Sequence, residues 1–145
     1  MVLSETGRQE LEARIRTFLA DARHDIGDGR IDAAMGRYAL PLALIRQDGT
    51  EIVSSEAELR VHLNGLAGLS SDERPPFWRQ EIVEMQIIDT LLVTVTADVF
   101  CVDCKAKPLP PERQTLILRR SGTTFRYVAI VNPIRHDFWT NQTTA

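Results

Sequence analysis

Apolar residues recur at Leu11, Ile15, Phe18, Leu19 and Ala22, the three- and four-residue steps that place side chains on one face of a helix. Glu10–Arg14 and Glu12–Arg16 fall four apart on the opposite face, where such pairs support an exposed helix. Ser4 or Thr6 can cap its start, and Gly27 follows its end. A second helix is predicted from Asp28, a good N-cap, with Ile31, Ala34, Met35 and Tyr38 on one stripe and Pro41 closing it. Leu42–Ile45 and Glu51–Val53 flank Gln47-Asp48-Gly49-Thr50, whose Asp-Gly step suits a tight turn, so a short hairpin follows. Ser55-Glu56-Ala57-Glu58 has the serine and glutamate of a capping box. Leu59, His62, Leu63 and Leu66 then form the buried stripe of a third helix that runs out at Gly68 to Ser71.

From Phe77 onward the period changes to that of strands, predicted over Trp78–Ile88, Leu91–Cys104, Arg113–Arg120 and Thr123–Asn132. The connections at Asp89-Thr90 and Ser121-Gly122 are short, so these strands pair antiparallel as a meander. Two of them exceed the usual length of about 5–6 residues, which requires a twisted, curved sheet. Helices first and strands second define a segregated α+β domain, three N-terminal helices packed on one face of a curved antiparallel sheet. Such a sheet makes a cone-shaped roll with an open end, a natural place for a small ligand. One domain is expected over residues 1–145, with a core over about 8–134 and a polar tail over 135–145. Phe138 and Trp139 in that tail either fold back on the body or contribute to a partner contact.

Composition adds exclusions. At 145 residues, 43% hydrophobic and 26% charged, the chain can hold a core without disulfides or metals. Its formal charge of −3 is spread along the chain without a Lys/Arg cluster, which argues against nucleic acid. No run approaches the roughly 20 apolar residues that span a bilayer, and Met1-Val2-Leu3-Ser4-Glu5 lacks the features of a signal peptide, so no membrane partner and a cytoplasmic location are expected. Cys101 and Cys104 sit in a strand, where residues three apart lie on opposite faces about 10 Å apart, beyond the roughly 7 Å reach of a disulfide. No second pair completes a zinc site, and the two read as one core and one surface thiol. Phosphate loop, nucleophile elbow and metal cluster are all missing, and His24, His62 and His136 are too scattered to suggest a metal site.

The order helix, helix, hairpin, helix and four long strands, with Asp28-Gly29-Arg30-Ile31-Asp32-Ala33-Ala34-Met35-Gly36-Arg37-Tyr38 and the start Ser55-Glu56-Ala57-Glu58-Leu59, resembles the nuclear transport factor 2-like superfamily. That superfamily includes SnoaL-like proteins and ketosteroid isomerases. The resemblance implies an α+β cone, commonly a homodimer built through the sheets, and no cofactor. It also implies carboxylates, Tyr or His inside the cone where there is catalysis. The isomerase base would fall at Arg46 or Gln47, neither of them acidic, and Phe18 stands where the phenolic donor belongs.

The residues leave these candidates. His62, on an apolar stripe, is either a proton-transfer group or a core histidine bonded to a backbone carbonyl. Tyr38 could supply a hydroxyl at the cavity mouth or simply pack. Glu84 and Asp98 are strand carboxylates that face either the cavity or the outside. Arg126 and Asn132 on the last strand suit a carboxylate or carbonyl, and Trp78 and Phe125 suit an apolar cavity wall or the core. Three functions fit this inventory: binding of a small hydrophobic molecule, a cofactor-free lyase or isomerase of a small carbonyl compound using His62 and Tyr38, or a protein-interaction module.

Overall fold

The computed structural model describes residues 3–67, 78–101 and 112–132, with Trp78 and Cys101 described by their backbone alone. Cys104, the Pro-rich connection over 107–111 between the second and third long strands, and the tail with Phe138 and Trp139 lie outside the described residues. The elements are α1 (Glu5–Gly27), α2 (Ile31–Met35), β1 (Tyr38–Arg46), β2 (Gly49–Val53), α3 (Glu56–Ala67), β3 (Trp78–Ile87), β4 (Leu92–Cys101), β5 (Glu112–Ser121) and β6 (Thr124–Val131).

Ser4 caps α1, its Oγ accepting the Gly7 N–H at 3.0 Å. Leu11, Ile15, Phe18, Leu19, Ala22 and Ile26 form its buried stripe, as the pattern requires. On the wet side the ion pair is Arg8–Glu12 at 3.1 Å, rather than Glu10–Arg14 or Glu12–Arg16. At α3 the capping box is complete: Ser55 Oγ accepts the Glu58 N–H at 3.2 Å, and the Glu58 carboxylate reaches back to the Ser54 N–H at 3.4 Å.

The second helix is a correction. It spans five residues and stops at Gly36, and Tyr38 opens β1 instead of ending a helix. The helical stripe loses because the stretch from Tyr38 onward pairs with strands on both sides, and tertiary pairing overrides so short a local signal. Pro41 lies between Tyr38 and Ala43, where β1 breaks register with β6, so its missing N–H leaves no ladder bond unmade.

The sheet order is β2-β1-β6-β5-β4-β3. The four long strands form the expected antiparallel meander. The sheet as a whole is mixed, however, because β1 lies parallel to β6, with Ile45 opposite Val131 and the Asn132 N–H donating to the Ile45 carbonyl at 2.8 Å. That pairing joins the early hairpin to the last strand, and no local pattern announces it.

Register sorts the inner face into rows. Ile87–Val93–Leu118–Tyr127 makes one row and Met85–Val95–Leu116–Ile130–Leu44 the next. Ile82–Ala97–Gln114 and Gln80–Val99–Glu112 follow. Against the first two rows pack Leu11, Ile15 and Leu19 of α1 and Leu59 and Leu63 of α3, all buried in one continuous core. Full burial of side chains such as Ile15 and Leu63 stabilises by about 1.5–3 kcal/mol each. The opposite face carries Ile52–Ala43–Ala129–Ile117–Thr94–Gln86 and Thr50–Ile45–Val131–Thr115–Thr96–Glu84 across all six strands. Among the described residues no helix is long and apolar enough to cross a membrane.

Candidate functional site

Four rings meet beneath α1. Phe18 lies 5.2 Å from Tyr127 and 5.9 Å from Phe125, centroid to centroid, and Tyr38 lies 4.8 Å from Tyr127. Offset and edge contacts of this kind add about 0.5–1.5 kcal/mol beyond burial. Burial pushes both phenols above their ordinary range, so they stay protonated and are poor bases. Arg37 closes the cluster, with its guanidinium carbon 5.6 Å from the Phe18 centroid and its Nε donating to Asp25 Oδ2 at 2.8 Å. The other Asp25 oxygen accepts from Arg30 Nε at 3.2 Å, so this buried carboxylate, 6% exposed, holds the α1–α2 junction between two cations.

One turn away on the same helix the arrangement is different. Arg23 stands four residues after Leu19 and three before Ile26, on the buried stripe of α1. Its Nη1 donates to Gln80 Oε1 at 3.4 Å, and Gln80 Nε2 donates to Gln114 Oε1 at 3.0 Å. The chain of bonds therefore runs from α1 over β3 to β5 along the two polar rows of the inner face. Arg23 Nε is sealed from solvent and has no hydrogen-bond partner. Burial lowers the Arg23 pKa, and the charge interaction with Tyr127 works against that shift. The inner face thus changes character along the cone, apolar and filled at one end and bearing amides, a guanidinium and the Glu112 carboxylate at the other, with the small side chain of Ala97 between Ile82 and Gln114.

Open clefts lie at the rim. One of about 540 Å³ is lined by Ile45, Arg46, Gln47, Glu112, Arg113, Val131 and Asn132, where β6 ends between β1 and β5. A second, of about 350 Å³, runs between α1 and the β5–β6 turn, over Phe18, Arg37 and Phe125. Among the described residues no three His, Cys, Asp or Glu side chains converge as a metal site would need.

The residues singled out from the sequence are dispersed. Tyr38 and Phe125 meet in the aromatic cluster. His62 is buried on the α3 stripe beside Leu59 and Leu63. Asn132 lines the rim cleft. Glu84 and Asp98 lie on the outer face, opposite Thr96 and Arg113, and Arg126 is exposed there opposite Arg119. Asp98 is held by Arg113 Nε at 3.0 Å and Nη2 at 3.3 Å. None of these three enters the cone, because their strands alternate faces with the buried Val95, Ala97, Val99 and Tyr127. Trp78 pairs with Cys101 through the backbone, and its side chain lies outside the described residues.

Arg23, Gln80 and Gln114 were not picked out from the sequence. The signal was present in the charge at position 23, which interrupts an apolar helical stripe, and in glutamines at inward positions of strands.

No family model matches the chain, and no curated protein matches it in sequence. Solved structures do match in shape. A nuclear transport factor 2-like protein of unknown function from Shewanella oneidensis is 16% identical, with a TM-score of 0.64 over 85% of this chain and 98% of that one. A candidate scytalone dehydratase from Novosphingobium aromaticivorans is 8% identical, with a TM-score of 0.66 over 86% and 84%. A protein of unknown function with a cystatin-like fold from Nostoc punctiforme is 14% identical, with a TM-score of 0.61 over 93% and 96%. The chain has the nuclear transport factor 2-like, or cystatin-like, α+β cone fold. At these identities the likeness is one of fold, and one such fold hosts many functions.

Proposed function

We propose that this domain binds a small, largely apolar molecule in its cone, at the end where the inner face becomes polar, and that it works as a homodimer paired through its outer sheet face. The observation that carries the binding reading is the Arg23–Gln80–Gln114 chain on the inner side of the sheet. A cone that served only as a core would place apolar side chains there, as its first two rows do, because buried polar groups cost stability unless fully bonded. Polar groups with spare donors beside apolar Ile82 and Val99 and the small Ala97 are the mixture found in ligand pockets. The homodimer is supported by the outer face, whose two rows are Ile, Val, Ala and Thr over five strands, end in Gln86 and Glu84 on β3, and have no described element upon them.

A lyase or isomerase using His62 and Tyr38 has less support. The two stand on different elements, and the Tyr38 hydroxyl, pushed up by burial, keeps its proton and suits hydrogen bonding more than proton transfer.

Phenylnaphthylamine, a neutral probe that fluoresces in apolar surroundings, tests the binding reading. We expect saturable binding at one probe per chain. Ala97→Phe, which drives a ring into the space between Ile82 and Gln114, should weaken it at least tenfold while far-UV circular dichroism is kept. Absence of saturable binding to the folded wild-type chain, or equal binding by the folded variant, overturns it.

A further inference from the structure

We infer that the molecule held in the cone carries an anionic oxygen group, such as a carboxylate or sulfonate, and that Arg23 is the residue that receives it. The inference rests on the binding reading above and extends it to the ligand's chemistry.

A guanidinium has five N–H donors and is always charged, so a half-buried arginine in a finished core has a carboxylate beside it. Two other covered arginines of this chain follow that rule: Arg37 donates to Asp25, and Arg46 pairs with Glu51 at 3.2 Å. Arg23 does not. Among the described residues it forms no ion pair. Its one hydrogen bond, to a neutral amide, is long at 3.4 Å, and its Nε is enclosed with nothing to donate to. Asp25, two residues away, is already engaged with both Arg30 and Arg37. A positive charge drawn from water without a counter-ion is costly, and among the described residues none repays that cost, which leaves the place to a group from outside the chain.

The surroundings fit such a guest. Gln80 Oε1 accepts one long bond from Nη1, and Gln114 orients the Gln80 amide through a shorter one. The Gln114 Nε2 group then remains as a further donor toward the same row. Ile82 offers partly exposed apolar surface for the ligand's body, beside Ala97 and Val99, which are covered. A carboxylate or sulfonate with a compact ring system matches this division into one charged end and one greasy side. An ammonium-bearing ligand does not, because it would meet the unpaired cation.

Two probes of almost equal shape separate the claims. Anilinonaphthalene sulfonate and phenylnaphthylamine share their rings, and only the first has an anion. The wild-type chain should bind the sulfonate at least about tenfold more tightly, the margin expected of hydrogen bonds to a charged group. Arg23→Gln should erase that margin and leave phenylnaphthylamine unchanged, Arg23→Lys should keep part of it, and the exposed Arg16→Gln should alter neither. Added phenylnaphthylamine should displace the sulfonate, placing both in one site. If phenylnaphthylamine binds and the sulfonate binds no better, or if Arg23→Gln preserves the margin, the anion inference is wrong while the pocket stands. If neither probe binds the folded chain, both the pocket and the inference fall. Unfolding by Arg23→Gln is checked by thermal melting, and Arg23→Met then replaces it as the test.

Discussion

Asp25 and Arg23 sit on one helix two residues apart, and the structure treats them oppositely: the carboxylate receives two cations and the guanidinium receives one distant amide. Removing the satisfied partner should therefore be the more damaging change. Asp25→Ala strands Arg37 against the Phe18 ring and should lower stability by about 2–4 kcal/mol in urea unfolding. A pH effect follows from the phenols. The chain has two tyrosines, Tyr38 and Tyr127, and both are held above their ordinary pKa by burial. The folded state keeps their protons while the unfolded chain releases them above about pH 10, so stability falls as pH rises beyond that value. The slope is at most about 1.4 kcal/mol per pH unit for each tyrosine. Ultraviolet titration should show no phenolate in the folded protein near pH 10, and ionisation should appear together with alkaline unfolding. A phenolate signal at pH 10 from still-folded protein would contradict the buried cluster.

Elements were legible where a local device decides them. The stripe and serine cap of α1 and the capping box of α3 are written in a few adjacent residues, and the structure follows both. Ser55→Ala should cost about 1 kcal/mol, visible as a lower urea midpoint with unchanged slope. The second helix is shorter than its spacing implies because Tyr38 continues a helical period that strand pairing overrules. The same limit explains the site. His62 and Tyr38 look chemical in sequence because their residue types are, yet the geometry gathers Arg23, Gln80 and Gln114, whose significance depends on which partners are missing. That no described carboxylate stands beside Arg23 is a property of three-dimensional neighbours, and no spacing encodes it.

At the scale of the molecule, the α+β cone and its antiparallel meander could be read from the order of elements, whereas the parallel β1–β6 pair could not. Two strands so distant in the chain meet because every intervening element returns β6 to the hairpin, and that is a topological outcome. The outer face gives a further test. Ile117 lies near its centre, between Ala129 and Thr94, and at micromolar concentration we expect sedimentation at twice the 16.3 kDa chain mass. Ile117→Lys should return the protein to 16.3 kDa without loss of secondary structure, since it places a desolvated charge in the proposed interface. A wild-type chain that sediments only as 16.3 kDa sinks the dimer.

The β1–β6 pairing also imposes a timetable. Phe18 and Tyr38 leave the ribosome early, but Phe125 and Tyr127, against which they pack, belong to the last strand. Translation at about 5–20 residues per second separates the two events by on the order of ten seconds. Over that interval the greasy side of α1 has no sheet to rest on. The nascent chain is therefore most vulnerable to self-association, and most in need of a holdase, during synthesis of the meander.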